Sequence, residues 1–303
     1  MAMRVATFAI SEQMIAAALR TQSTMANQEI QQASGEISSD FGGYGSSSQQ
    51  ILNLQVSVTR SQSYIDAATQ ADSKIQMMYS TVSSVADLIT QFRSLLTSAT
   101  NAASTDSTSV TQSAQQMMTQ MASLLNTQYD GGYLFGGSRT DQAPVDISSS
   151  TYPAATSPSS ANTSYYKGDD QMASVRVSDN QTVSYGIGAD NTAFEQALRA
   201  MNLVANNSPL STTTLNEALS LATSAVDAVG VVQSKISNAS SAIESASSFQ
   251  TNYQSFAKTL GSDLTSVDVA AVTAQLSAYQ AQLTASYAAI SKVQSLDLAS
   301  YLH

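Results

Sequence analysis

Residues 51–96 read ILNLQVSVTRSQSYIDAATQADSKIQMMYSTVSSVADLITQFRSLL. In this stretch a set of mostly apolar residues recurs at alternating spacings of three and four. This spacing places the set in one row, here called the seam, along one side of a helix. The seam runs through Ile51, Leu54, Val58, Ser61, Ile65, Ala68, Asp72, Ile75, Tyr79, Val82, Ala86, Ile89, Arg93 and Leu96. A second apolar row beside it contains Met78, Val85, Leu88, Phe92 and Leu95. This helix is therefore expected to contact more than one partner.

Helical periodicity continues on both sides of this segment. The further helices are predicted at residues 5–34, 110–128, 194–204, 215–260 and 266–302. The 110–128 helix is expected to end at Asp130-Gly131-Gly132. Gly261 stands where a helix C-cap is expected, and Ser266 is placed as the N-cap of the last helix.

The middle of the chain, from Tyr133 to about Asp190, has a different composition. Pro, Gly, Ser, Thr and Asn accumulate there, and apolar residues alternate in 174–177 and 182–187. These patterns predict a small β-containing insertion with a mobile loop near residues 146–164.

The chain is thus predicted to be mainly α, an elongated antiparallel helical bundle or coiled coil with paired N- and C-terminal helices and a small β-containing central insertion. Five segments follow from the pattern. They are an N-terminal assembly helix and linker (1–44), the first half of a helical rod (45–132), a hairpin and variable exposed insertion (133–190), the second half of the rod (191–261) and a C-terminal assembly helix (262–303).

The composition excludes several classes of function. Charged residues make up 11% of the chain, the net charge is -10, and Lys and Arg are scattered, so no basic stripe for nucleic acid is present. The chain has no Cys and one His, at His303, so zinc sites, thiol nucleophiles and His-based triads lack their residues. No cofactor is expected. The absence of Cys also suits export of an unfolded chain.

Membrane insertion and a classical signal peptide are not expected either. The apolar run from Val5 to Ile10 is too short for a signal-peptide core, and no segment looks like a membrane span of about 18 apolar residues. The chain is therefore either cytoplasmic or exported without a cleaved classical signal.

Carboxylates provide the nearest approach to enzyme or metal chemistry. Asp169 and Asp170 lie in a Gly-flanked loop, while Asp66 and Asp72 lie on the long helix. A solvated turn and a tolerated polar seam position explain them better than a catalytic pair. Asp169, Asp170 and Asp179 do not have the spacing of a calcium loop. No enzymatic role is predicted.

The two terminal helices are amphipathic and have no partner close to them in sequence. A single amphipathic helix is marginal in water and needs another surface to cover its apolar stripe. Pairing of the first and last helices satisfies part of this need, and other subunits are expected to supply the rest. The expected assembly residues are Ile10, Met14, Ala18 and Met25 in the first helix, and Val269, Val272, Leu276, Tyr279, Leu283, Ile290, Val293, Leu296, Leu298 and Leu302 in the last.

Two motifs resemble the bacterial flagellin superfamily. The run Tyr133-Leu134-Phe135-Gly136-Gly137-Ser138-Arg139-Thr140-Asp141 resembles the hairpin that follows the N-terminal helices in that family. The stretches 282–287 and 292–302 resemble the ending of the hook–filament junction proteins, the hook-associated relatives of flagellin. The double Gly is read as a structural turn and not as a phosphate loop, because no helix with Lys follows it.

This resemblance implies a structural subunit of the bacterial flagellum, located outside the cell at the hook–filament junction. It would assemble with itself into a helical homo-oligomer and with other flagellar axial proteins, namely hook-associated proteins and flagellin, after delivery by an export chaperone. Neither nucleic acid nor membrane is an expected partner.

Other functions stay open at this point. Filament flagellins tend to end with an Asn-Gln-x-Pro segment, which this chain lacks, yet flagellin of the filament bulk is one alternative. A type III needle-tip-like or adhesive coiled-coil protein is another. Residues 35–45 also depart from the charged segment that the family usually carries after the first helix, so contacts made by that segment are not carried over.

Overall fold

The computed structural model describes residues 2–101, 107–148, 150 and 152–295, with side chains from residue 9 to residue 293 within those ranges. The elements in chain order are α1 (Ala2–Ser34), a 3-10 segment (Phe41–Ser47), α2 (Ser48–Asn101), α3 (Ser107–Leu125), β1 (Gln128–Tyr129), β2 (Gly132–Tyr133), β3 (Ser174–Ser178), β4 (Gln181–Ser184), α4 (Thr192–Ala205), α5 (Thr212–Thr265) and α6 (Val269–Ser295). The strands form two antiparallel pairs, and α1 packs against α6. The predicted fold class, mainly α with paired terminal helices and a small β-containing insertion, is confirmed.

The described residues divide into two compact units. The smaller unit takes those up to Thr59 and those from Gln254 onward, and the larger unit is Arg60–Tyr253. The main hydrophobic core lies in the larger unit, where α3 packs against α4. Met121, Phe194 and Met201 are completely buried there. The predicted role of the α3 region as part of a packed bundle thus agrees with its burial.

The buried seam of α2 differs in part from the predicted one. Tyr79, a predicted seam residue, is 43% exposed, whereas its neighbour Met78 is buried. The buried residues Ala71, Met78 and Val85 keep the seven-residue spacing, but they lie one position before the predicted Asp72, Tyr79 and Ala86. Asp72, also on the predicted seam, is half-buried and accepts a hydrogen bond from Ser240 Oγ at 2.9 Å.

Helix α3 ends at Leu125, earlier than predicted. Asp130 and Gly131 both have positive φ, 51° and 76°, and form the turn between β1 and β2. Two consecutive residues with positive φ define the hairpin turn that Asp-Gly favours. The Asp-Gly-Gly sequence thus marks a hairpin and not the end of a helix, so that prediction was wrong.

The alternation in 174–177 and 182–187, from which β structure was predicted, corresponds to an antiparallel hairpin of β3 and β4. Val175 and Val177 of β3 are buried, as the alternating pattern requires. Gln250 of α5 donates a hydrogen bond from Nε2 to Val177 O at 3.1 Å, and its Oε1 accepts one from Ser61 Oγ at 3.0 Å. The buried amide of Gln250 therefore connects the hairpin with α2 and α5.

Residues 152–162, here called the strap, cover part of α4. The sequence predicts a mobile loop over 146–164, but the strap backbone is bonded to side chains beneath it. Asn202 of α4 accepts a hydrogen bond from Ala155 N at 3.1 Å and donates one to Pro153 O at 3.1 Å. This buried amide satisfies backbone groups that a free loop would leave to water, so this part of the strap is bonded to α4. The mobility of the loop stays a prediction.

The two predicted caps near the C-terminal helix are wrong. Gly261 lies inside α5, which continues to Thr265, and it is not among the glycines with positive φ. Ser266 lies before α6 in an isolated β-bridge. The N-cap of α6 is Asp268, whose carboxylate accepts hydrogen bonds from the amides of Ala270 at 3.0 Å and Ala271 at 3.1 Å.

Helix α5 contains one window with a mean hydropathy of 1.2, enough by length and composition for a membrane span. The sequence was expected to contain no membrane span. Ala218, Ala222, Ala225 and Val229 form a buried row within this helix. A core helix of a bundle meets the same criterion, which makes the window weak evidence for a membrane.

Candidate assembly surface

Helices α1 and α6 pair in antiparallel orientation in the smaller unit. Gln28 Nε2 donates to Gln275 Oε1 at 2.5 Å, and Gln32 Nε2 donates to Thr273 Oγ1 at 2.8 Å. Residue numbers rise along α1 while those of the partners fall along α6, which defines the orientation. Uncharged polar pairs of this kind fix the register of two helices without the desolvation cost of buried ions.

A short backbone bridge closes this helix pair at one end. Gly35, with φ of 73°, follows the last turn of α1, and its N–H donates to Gln31 O at 2.8 Å. Ile37 N donates to Thr265 O at 2.8 Å, and Val267 N donates to Gly35 O at 2.9 Å. The segments that follow α1 and precede α6 are thus held together by main-chain bonds, independent of side-chain identity.

Most of the predicted assembly residues lie in the seam of this pair. They are Met14, Ala18 and Met25 in α1, and Val272, Leu276, Tyr279, Leu283, Ile290 and Val293 in α6, all of them buried or half-buried. Ile10 and Val269, in contrast, are 51% and 44% exposed. Leu296, Leu298 and Leu302 lie outside the described residues. The pairing within the chain therefore covers much of the stripe that was expected to need other subunits.

A different set of apolar side chains remains exposed on α1. Ile15, Leu19 and Ile30, here called the outer row, are 40%, 60% and 59% exposed. They lie roughly 60° to 120° around the helix from Ala18, at about 100° per residue. These three residues are not among the predicted assembly residues, because the seam residues alone account for an amphipathic helix. The spacing of four and eleven residues was the signal that could have identified them.

The predicted hairpin residues have an internal position. They are Tyr133, Leu134, Phe135, Gly136 and Gly137, of which only Tyr133 belongs to a strand of the hairpin. Phe135 is completely buried and meets Phe194 of α4 edge to face, with 6.1 Å between ring centroids. Gly137 has φ of 69° and begins the next turn. This segment attaches the insertion to α4 and does not form an exposed contact surface.

An ion pair lies beneath the strap. Arg199 Nε is 3.1 Å from Glu195 Oε1, close enough for an ion pair but without hydrogen-bond alignment. Glu195 is 3% exposed, and the same oxygen accepts a hydrogen bond from Asn162 N at 3.0 Å. Burial also raises the pKa of Tyr165, whose hydroxyl donates to Ala189 O at 3.0 Å. These buried polar groups hold the strap and the insertion in place.

The carboxylates considered for catalysis or calcium binding take part in structural contacts. Asp169 accepts hydrogen bonds from Ser138 Oγ, from Ser138 N at 2.8 Å and from Gln171 N at 3.0 Å, which lower its pKa. Asp179 accepts from Tyr64 OH at 2.8 Å and Arg60 Nη1 at 3.1 Å. Asp66 accepts from Gln62 Nε2, four residues earlier, at 2.8 Å. In the part of the chain that the structure describes, no three His, Cys, Asp or Glu residues form a group that could hold a metal ion.

Comparison with known proteins points to one family. Residues 5–140 match the family model of the bacterial flagellin N-terminal helical region. No curated protein sequence matches the chain.

Three solved structures share the fold. A protein assigned as a flagellar hook-associated protein from Vibrio parahaemolyticus aligns with a TM-score of 0.61 at 16% identity, covering 75% of this chain and 99% of that one. Flagellar hook-associated protein-3 from Legionella pneumophila aligns with a TM-score of 0.53 at 14% identity, covering 71% and 97%. The flagellar junction protein FlgL from Legionella pneumophila aligns with a TM-score of 0.50 at 12% identity, covering 65% and 99%. Residues 5–140 are therefore similar to a bacterial flagellin N-terminal helical region, and the fold of the chain is similar to that of flagellar hook-associated proteins.

Proposed function

We propose that this chain is a structural subunit of the bacterial flagellum that self-assembles at the hook–filament junction through its terminal helices. The flagellin N-terminal region supports a place in the flagellum. The fold shared with hook-associated and junction proteins supports the junction. The role is structural, not catalytic.

The outer row of α1 is the observation that carries the self-assembly. Ile15, Leu19 and Ile30 remain exposed although α1 is already paired with α6. Full burial of one Leu or Ile side chain contributes about 1.5–3 kcal/mol, so a second copy that covers this row gains a favourable contact. Charged residues are sparse in the chain, which limits the desolvation cost of such a contact.

The proposal assigns a role to each of five segments. Residues 1–44 and 262–303 are the assembly helices with their linker, and 45–132 and 191–261 are the two halves of the helical rod. Residues 133–190 are the hairpin and exposed insertion. Assembly partners are further copies of this chain, hook-associated proteins and flagellin.

The proposal includes export of the unfolded chain, with an export chaperone and without cleavage of a classical signal peptide. A chain without Cys cannot form a disulfide that would obstruct such a route. The test is mass spectrometry of the protein recovered from the flagellum, where an uncleaved N-terminal region is expected. A matured protein that lacks its first helix contradicts this route.

Assembly is tested with variants of exposed side chains, which leave the fold intact. L19Q and I30Q together should abolish polymer formation in sedimentation and electron microscopy, while circular dichroism stays unchanged. The control is M172Q, which alters another exposed apolar residue, in the insertion (51% exposed), and should assemble normally. Normal assembly of the L19Q/I30Q variant would show that the outer row is not part of the contact between copies.

The junction role is separated from the filament role by what the purified chain does alone. A junction subunit should form short assemblies that extend only in contact with a hook-associated protein or flagellin. Long filaments grown from the purified chain alone would favour the alternative, flagellin of the filament bulk, and overturn the junction assignment.

A further inference from the structure

The smaller unit contains an apolar groove that none of the described residues fills. It has a volume of about 530 Å³ and lies between the segment after α1, the first turns of α2 and the last turns of α5. Ile51 and Ala257 are buried at its base, while Phe41, Tyr44 and Val58 line its sides and remain exposed or half-exposed. The size and lining suit several apolar side chains of a partner helix.

Two charged residues, Glu36 and Lys258, line this groove. Lys258 donates a hydrogen bond from Nζ to Gln254 Oε1, a neutral group, at 3.0 Å. Within the described ranges Lys258 forms no ion pair. A partner that carries a carboxylate beside apolar side chains would therefore complement the apolar lining and the charge of Lys258.

The outer row of α1 has this chemistry. Glu12 lies three residues before Ile15 and seven before Leu19, so all three share one face of the helix. Glu12 is exposed and forms no ion pair with any described residue.

The outer row cannot reach the groove of its own chain. Helix α1 continues from Leu19 to Ser34, roughly 22 Å at about 1.5 Å per residue, before the chain reaches Glu36 at the edge of the groove. An outer row that occupies the groove must therefore belong to another copy.

We propose that the groove receives the outer row of α1 from a second copy of this chain, with Glu12 facing Lys258. This inference rests on the proposed self-assembly and names the contact that produces it. The two surfaces differ, so the contact is head to tail and repeats from copy to copy. Such a contact builds an open helical array or, where the rotation closes, a ring.

Charge reversal tests the pairing in the full-length chain. E12K and K258E should each raise the concentration required for assembly about five-fold, because each places like charges opposite one another. A chain with both substitutions should recover most of the loss, since the opposite charges then face each other again. E244K and K235E are the matched controls, because they reverse exposed charges of α5 that do not line the groove, and they should assemble normally.

The outcomes separate this inference from the proposed function. Single variants that assemble normally, or a double variant no better than either single one, overturn the groove contact. If L19Q/I30Q nevertheless blocks assembly, self-assembly through the outer row stands and the surface that receives this row lies outside the groove. A wild-type chain that stays monomeric alone and with hook-associated proteins overturns both.

Cross-linking gives a second, independent measurement, because the chain has no Cys of its own. L19C and F41C chains are mixed under assembly conditions and oxidised, so that a disulfide between the two variants can form only between copies. A high yield of the mixed dimer is expected, compared with a low yield for L19C mixed with V231C, whose exposed position lies in the larger unit. Equal yields from both mixtures would contradict the contact.

Discussion

At the residue scale, substitutions of two glycines with similar backbone conformations are expected to differ in their effect on stability. Gly137 has φ of 69° and Gly131 has φ of 76°. A Cβ at Gly137 would lie 2.3 Å from Asp169 O, whereas a Cβ at Gly131 would meet nothing within 4 Å. G131A is therefore expected to cost about 1–2 kcal/mol of unfolding free energy for the positive φ alone. G137A should cost clearly more, because the backbone must also move.

Urea unfolding of the two variants, followed by circular dichroism, measures this difference. Equal losses of unfolding free energy for G137A and G131A would mean that the backbone at Gly137 can move away from Asp169 without a further cost.

Glu217 makes the strap sensitive to acid. Its Oε1 accepts a hydrogen bond from Ser159 N at 2.7 Å. Partial burial raises the pKa of Glu217, but hydrogen bonds from Ser157 and Ser159 outweigh this effect and leave the pKa below its ordinary value. A carboxyl group with a lowered folded-state pKa stabilises the fold above its unfolded-state value of about 4.3, and this contribution is lost as the pH falls through the folded-state pKa.

Hydrogen exchange of the strap amides should consequently become faster below about pH 4, after correction for the intrinsic pH dependence of exchange. The E217Q variant is the control, since its amide oxygen still accepts a hydrogen bond but does not titrate. A wild-type strap that shows no more acid response than E217Q would contradict the role of this carboxylate.

At the element scale, substitutions at the start of α6 test the observed N-cap, Asp268, against the predicted one, Ser266. Removal of an N-cap side chain costs about 1 kcal/mol. D268A should therefore lower the thermal stability of the α1–α6 pair, because the amides of Ala270 and Ala271 lose their acceptor. S266A should have almost no effect, since the backbone of Ser266, not its side chain, forms the bridge to Glu36. A larger loss of thermal stability for S266A than for D268A would show that Ser266 is the N-cap, as predicted from the sequence.

The elements also show what sequence patterns could and could not predict. The heptad of α2, the alternation in β3 and the amphipathic α6 are local features, and their elements were predicted correctly. The exact seam depended on which of two adjacent apolar residues packs inward, and burial falls on Met78 instead of Tyr79. The bonding of the strap to α4 depended on Asn202, a residue distant in sequence from the backbone that it binds. The spacing of the outer row of α1 could be read from the sequence, but its exposure depends on the pairing of α1 with α6.

At the scale of the whole molecule, the two units are expected to differ in stability. The main core, with completely buried residues such as Phe92, Met121 and Phe194, lies in the larger unit. Among the described side chains of α1, by contrast, only Ala18 is buried. Amides of α1 and α6 should therefore exchange with deuterium faster than those of α3 and α4 in the unassembled subunit.

Assembly should slow the exchange of α1, while a substitution that blocks assembly should leave it fast. Uniform protection of all four helices in the free subunit would contradict this order of stability.

The contact between Gln28 and Gln275 joins positions 247 residues apart. Closing so long a loop is entropically unfavourable and kinetically slow, whereas α3 and α4 pair across a much shorter stretch of chain. We therefore expect the terminal pair to form last, because it requires both ends of the chain to be present at once. A chain that lacks either end also lacks the register that presents Ile15 and Leu19 on one side. In the proposed self-assembly, chain connectivity should consequently delay the contact between copies until the whole chain is available.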